Sequence, residues 1–175
     1  MSITLAVPLD LPDVRVLAHR MLEDGTVLIE VESTVQTAQC HCCGRLIDRF
    51  HGFDRPIRLR HLPVFGRVVF VEIRPKRYRC PYGEGGPTTT QRCAWYDPNR
   101  PHATAFEQDV LQRLIHGTVA DVSRQLALGV KAVEGIMDHR LAPAVDWTAF
   151  AALETVGIDE VALLKGHGRY VAVVW

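Results

Sequence analysis

The sequence predicts an α+β chain in three consecutive units: a β-rich, zinc-ribbon-like domain over 1–98, a helix-turn-helix over 99–142, and a linker with a closing strand pair over 143–175. Three observations carry that prediction. β-branched and apolar residues run in short stretches between turn signals through the first hundred residues. Two cysteine-bearing turns lie beside those strands, and from Thr104 onward the apolar spacing becomes helical.

In the first unit, VRVLAHRMLEDGTVLIEVES holds two β-rich runs around Asp24-Gly25, a hairpin signal because both central residues of such a turn tolerate positive φ. RVVFVEIRPKRYRC reads as one further strand, with Pro75, which lacks an N–H, confining its end to a sheet edge. CHCCG (Cys40 to Gly44) is a complete C-x2-C turn, and RCPYGEGG offers Cys80 with Gly83 where a second sulfur would complete a knuckle. Five cysteines, an odd number, suit intracellular metal binding better than a secreted disulfide framework. Structural zinc takes four protein ligands in a tetrahedron, and Cys40, Cys43 and Cys80 supply three. The fourth is open between Cys93, Cys42 and a histidine such as His41 or His51, with a weakened or empty site as the alternative. Cys93 is the first choice, although its distance along the chain exceeds the usual spacing within a knuckle. The ion matters for folding, because a small arginine-rich sheet has little apolar area with which to order itself.

The net charge is +0, but its distribution is uneven. Half of the Lys and Arg residues lie between 45 and 79, against only Asp48, Asp54 and Glu72 in the same span. Concentrated arginine of this kind is the electrostatic footprint of phosphate binding. Arg55, Arg58, Arg60, Arg74, Lys76, Arg77 and Arg79 are the candidate phosphate contacts.

The second unit opens on Thr104-Ala-Phe-Glu107, a capping-box pattern. Phe106, Val110, Leu111, Leu114 and Ile115 follow as an apolar stripe that ends at Gly117. Thr118 opens the short helix VADVSRQL, Ala127-Leu128-Gly129 makes a three-residue turn, and VKAVEGIMDHR forms the next helix. That spacing is helix-turn-helix spacing, with Val133 and Ile136 inward, Leu126, Leu128 and Val133 along the seam, and small Ser123 where the helices approach. A second helix in this arrangement lies in a major groove. Its outward residues are Val130, Lys131, Glu134, Gly135 and Asp138, of which Lys131 and Glu134 are the candidate base-reading pair. His139 and Arg140 complement the dipole at the helix end.

In the third unit, DWTAFAAL links to TVGIDEVALLKGHGRYVAVVW, two apolar strands joined by a Lys-Gly-His-Gly turn. Asp159 stands between Ile158 and Val161 in an apolar strand, an unusual place for a lone carboxylate. Strand alternation points Glu160 to the other face. The beginning of the chain has no basic region and long apolar core of a signal peptide, and no stretch reaches membrane-spanning length, so a cytoplasmic, nucleoid-associated location and no membrane partner are expected. No phosphate-binding glycine loop, His-Glu-x-x-His or nucleophile elbow is present.

Taken together, C-x2-C-G, HLPVFGRVVFVEIRPKRYRCP, the helix-turn-helix and GIDEVALLKGHGRYVAVV resemble the bacterial DDE insertion-sequence transposases of the ISL-three type, over roughly 38 to 175. The resemblance implies a zinc-binding domain, a helix-turn-helix that helps bind transposon ends, and an RNase H-like domain in which three carboxylates hold two Mg²⁺ ions. Asp159 matches the first catalytic aspartate of that set. The two further acids of the family would lie downstream, so the expected activity of this chain by itself is DNA-end binding without cleavage or strand transfer, as of a truncated transposase. Relatives carry cysteine at the position of Gly83. The expected partner is double-stranded DNA, at terminal inverted repeats, with homo-oligomerisation or a separate catalytic portion open. Three alternatives stand beside this reading: a stand-alone zinc and helix-turn-helix regulator, a catalytic unit completed by a second polypeptide, and a remnant without function.

Overall fold

In the computed structural model, residues 9, 11–83 and 85–141 are described, together with the backbone of 158–162 and 170–174. The chain divides into two compact units, Met1–Arg140 and Leu141–Trp175.

The larger unit is built on a four-stranded sheet assembled from two hairpins. Strands β1 (Val14–Met21) and β2 (Val27–Ser33) pair antiparallel around Asp24-Gly25, as the turn signal predicts. Gly25 supplies φ +80°, and the Asp24 carboxylate accepts from the Thr26 N–H at 2.9 Å, which fixes the turn. After β3 (Ala38–Gln39), β4 (Leu46–Ile47) and β5 (Phe50–Phe53) come the two long strands β6 (Ile57–Val64) and β7 (Arg67–Ile73), also antiparallel. The hairpins join through a parallel β2–β7 pairing, which gives the order β1-β2-β7-β6. Val69, Val71 and Ile73 alternate onto one buried face of β7, and Val31, Leu59, Trp95, Tyr96 and Ala103 share a core with Val71 and Ile73.

RVVFVEIRPKRYRC is therefore not one strand. It breaks at Arg74-Pro75 into β7 and β8 (Lys76–Arg79), and β8 belongs to a second sheet of order β5-β8-β9, with β9 at Thr88–Thr90. Pro75 does not mark an edge of β7, which is paired on both sides; its missing N–H falls where the chain leaves one sheet for another. The β3–β4 pair and the β5-β8-β9 sheet carry the two cysteine turns around a small core of Ala38, Cys40, Ile47, Tyr78 and Cys80.

Helices α1 (Thr104–Leu114), α2 (Val119–Leu126) and α3 (Val130–Arg140) close the larger unit. Their core is Phe106, Val110, Val122, Leu126, Val133 and Ile136, with Leu111, Leu114 and Leu128 against it. The apolar stripe stops short of its expected end, since Ile115 is 71% exposed at the helix terminus. The capping box is also displaced. Ala103 occupies the N-cap of α1 without a side-chain cap, whereas Thr118 and Asp121 make a reciprocal box at the start of α2. No helix among the described residues is long and apolar enough to cross a membrane.

In the smaller unit, β10 (Ile158–Ala162) and β11 (Tyr170–Val174) pair antiparallel, with Asp159 opposite Val173. The Lys-Gly-His-Gly turn, the linker that precedes β10, and Glu84 lie outside the described residues.

Candidate metal centre and nucleic-acid interface

The first cysteine turn folds tightly because Gly44, at φ +69°, reverses the chain after Cys43. Its N–H donates to the Cys40 carbonyl at 2.9 Å, and the Cys40 N–H donates to the Arg45 carbonyl at 2.8 Å. The turn aims the N–H groups of Cys43 and Cys42 at the Cys40 sulfur, and these lower the Cys40 thiol to about 6. Donors pointing at a sulfur favour its anionic form, which is the form that binds a metal. In the second turn the Tyr82 N–H points at the Cys80 sulfur, although burial is the larger influence and raises that thiol.

The two turns converge. The sulfurs of Cys40, Cys43 and Cys80 all lie within 4.8 Å of one another, and Cys43 and Cys80 are 3.6 Å apart. Zinc–sulfur bonds of about 2.3 Å in a tetrahedron put neighbouring sulfurs about 3.8 Å apart. The donor set therefore fits three corners of a structural zinc site, drawn from positions 37 apart in the sequence.

Cys93 is not brought to that group. It packs instead against the core beneath the four-stranded sheet, near Tyr96 and Ser33, and burial raises its thiol. Cys42 is exposed, with its sulfur 3.1 Å from His41 Nε2, while His41 Nδ1 lies 2.9 Å from the Thr89 hydroxyl. His51 also stays outside the three-sulfur group. Cys93 as fourth ligand is thus an expectation that this arrangement does not meet, because that residue packs, partly buried, against the core of the four-stranded sheet.

The helices show the geometry that the spacing anticipates. Ala127 adopts φ 49°, the left-handed conformation that turns the chain between α2 and α3, and the Leu128 N–H donates to the Ser123 carbonyl at 3.0 Å. The Ser123 hydroxyl in turn donates to the Leu128 carbonyl at 2.6 Å, so the small residue at the crossing also locks the turn. Val133 and Ile136 are fully buried, whereas Val130, Lys131 and Asp138 are exposed on α3. Lys131 Nζ sits 2.8 Å from Glu134 Oε2 across one turn, which raises the Lys131 ammonium.

These two domains have known counterparts. The zinc-finger of transposase IS204/IS1001/IS1096/IS1165 matches residues 36–83, and the helix-turn-helix domain of transposase family ISL3 matches residues 94–141. The transposase for insertion sequence element IS1001 of Bordetella parapertussis is 30% identical over 149 residues, which is 85% of this chain and 36% of that protein. The chain carries the zinc-finger and helix-turn-helix domains of ISL3-type transposases. It spans about a third of the length of the curated relative it matches. No solved structure matches it.

Within this chain the basic residues divide into two sets that sequence did not separate. Lys76 is 3% exposed; its ammonium donates to the Ser33 carbonyl at 2.8 Å and pairs with Glu32 at 3.3 Å. Arg60 lies over the Phe106 ring at 5.3 Å and the Phe70 ring at 5.8 Å, and donates to the Leu126 carbonyl at 2.8 Å. Burial lowers its pKa. Lys76 is thereby closed off from a phosphate and acts as a joint within the sheets, while Arg60, partly buried, is engaged as a joint between β6 and the helices. Arg77 donates to the Thr88 hydroxyl at 2.7 Å and is half-buried. Arg58 is exposed but pairs with Glu72 at 3.1 Å, leaving Arg55, Arg74 and Arg79 as the exposed members of the predicted set without an ion pair among the described residues. Arg45, Arg49 and Arg92 are further exposed arginines. Arg92 and Arg55 line an open cleft that reaches His139 at the end of α3.

One cluster was absent from the sequence reading. Glu107 is fully buried, and its carboxylate meets Arg140 at 2.5 Å, Arg100 at 3.5 Å and His102 at 3.7 Å. Arg140 therefore completes this ion network from the last turn of α3. The signal in the sequence was a glutamate on the apolar stripe of α1, between Phe106 and Val110.

Proposed function

We propose that this chain binds the terminal inverted repeats of its insertion element as duplex DNA, with α3 in a major groove and exposed arginines on flanking phosphates. The observation that carries this reading is the α2–turn–α3 geometry. It buries Val133 and Ile136 and leaves Val130, Lys131 and Glu134 outward at the start of the second helix, the end that contacts base edges in such motifs. The zinc ion, held by Cys40, Cys43 and Cys80, orders the small sheets that carry Arg45, Arg49 and Arg79.

Asp159, on β10, is the first of the acids that would bind Mg²⁺ in an RNase H-like catalytic fold, of which β10 and β11 are the opening strands. Two-metal phosphodiester chemistry needs carboxylates on both ions. Asp159 alone does not clamp two cations, so binding is the activity we assign to these residues.

Footprinting on the ends of the element tests this. Protection centred on the terminal repeats supports the reading, and protection confined to a promoter favours a regulator. With about three phosphates neutralised, log K should fall with log salt at a slope near −2.7.

A further inference from the structure

At one corner the metal centre departs from a four-sulfur ribbon. Cys40 and Cys43 stand three residues apart, so the equivalent partner of Cys80 is position 83, and that position is glycine. The loop has closed around the substitution. A Cβ at Gly83 would lie 2.9 Å from Cδ and 3.1 Å from Cγ of Pro87. Pro87 is itself tied down, since its carbonyl accepts from the Cys80 N–H at 2.9 Å, and the Gly86 N–H donates to the Gly83 carbonyl at 3.1 Å.

Among the described residues, no other Cys, His, Asp or Glu joins the three-sulfur group. Cys42 is turned to His41, His41 to Thr89, and Cys93 to the sheet core. Cys40 and Cys80 are 2% and 1% exposed, whereas Cys43 is exposed, so solution reaches the cluster from the Cys43 side.

Resting on the zinc reading of Cys40, Cys43 and Cys80, we propose that the corner beside Gly83 takes a small thiolate or an imidazole from solution, which makes this a three-sulfur site with one exchangeable ligand. Zinc prefers sulfur and imidazole nitrogen at such a corner, and three thiolates leave the site with a single negative charge that still accepts either donor. A thiol that binds gives its proton to solvent.

The test is to load the full chain with cobalt(II), whose sulfur charge-transfer and d–d bands report the number of thiolate ligands, and to titrate it with 2-mercaptoethanol or with imidazole. The expected result is one cobalt per chain, protection of Cys40, Cys43 and Cys80 from alkylation, and a saturable shift of the d–d bands by both additives. Gly83→Cys combined with Pro87→Ala restores the fourth sulfur and removes the ring that its Cβ would meet; that variant should show the four-sulfur spectrum without additive and no shift on titration. Cobalt bound through sulfur with bands that neither additive moves would overturn the exchangeable corner alone. Absence of any sulfur charge-transfer band would overturn the zinc reading with it.

Discussion

Glu107 Oε2 accepts from Arg140 Nε at 2.5 Å, joining the first turn of α1 to the last residue of α3 inside the protein. Arg140 also donates to the Thr104 hydroxyl at 3.2 Å, and Arg100 reaches past the same carboxylate to the Gly135 carbonyl. One buried acid thus sets where α3 ends relative to α1, and hence where the outward face of α3 is presented.

Glu107→Gln keeps the shape and removes the charge, leaving Arg100 and Arg140 without their shared anion. Breaking a buried pair by deleting one partner costs about 3–5 kcal/mol. Urea denaturation followed by helical circular dichroism should show a loss of that order. A change below about 1 kcal/mol would mean that water compensates the arginines.

Arg60 and Arg79 should separate stability from DNA contact. Arg60→Ala removes a charged hydrogen bond to the Leu126 carbonyl and two ring contacts, and should cost about 2 kcal/mol of stability while leaving the salt slope of DNA binding unchanged. Arg79→Ala, at an exposed position, should leave stability within about 0.5 kcal/mol and reduce the slope by about 1. The opposite pattern would return Arg60 to the interface.

Burial holds His102 below its ordinary pKa of 6.5, with the Glu107 carboxylate opposing and Arg100 reinforcing the shift. The unfolded chain then binds a proton that the folded chain refuses, so stability rises with pH across this interval. The contribution is complete above about 6.5 and is lost as pH falls from there toward the lower folded value. Denaturation midpoints from pH 8 to 5 should show the decline, and His102→Gln should flatten it.

Metal removal should act locally. The core around Cys40 and Cys80 has five residues, too few to order two small sheets without the ion, whereas the helices keep their own core. Chelation should abolish hydrogen-exchange protection over 38–53 and 76–90 and spare 104–140. Uniform loss across all three segments would show that the metal supports the whole unit.

The sequence made legible what depends on neighbours along the chain: the Asp24-Gly25 hairpin, the C-x2-C turn, and the α2–turn–α3 spacing, each fixed by local conformation. It failed where tertiary partners decide. The Thr104/Glu107 pattern matched a capping box, yet Glu107 turns inward because Arg100 and Arg140 arrive from elsewhere in the chain. Arg60 and Lys76 counted as free charge because composition does not show which face a strand buries. Cys93 looked like a ligand on availability alone, but core packing places it against Tyr96.

The central claim, that α3 reads the element's ends, is tested most directly by the ratio of affinities for a terminal-repeat duplex and a scrambled duplex at one salt concentration. The account predicts about a 10³-fold or greater preference for the repeat. It also predicts that Lys131→Ala with Glu134→Ala largely abolishes this preference while binding to the scrambled duplex persists. Equal affinity for both duplexes, or a preference that survives the double substitution, would contradict it.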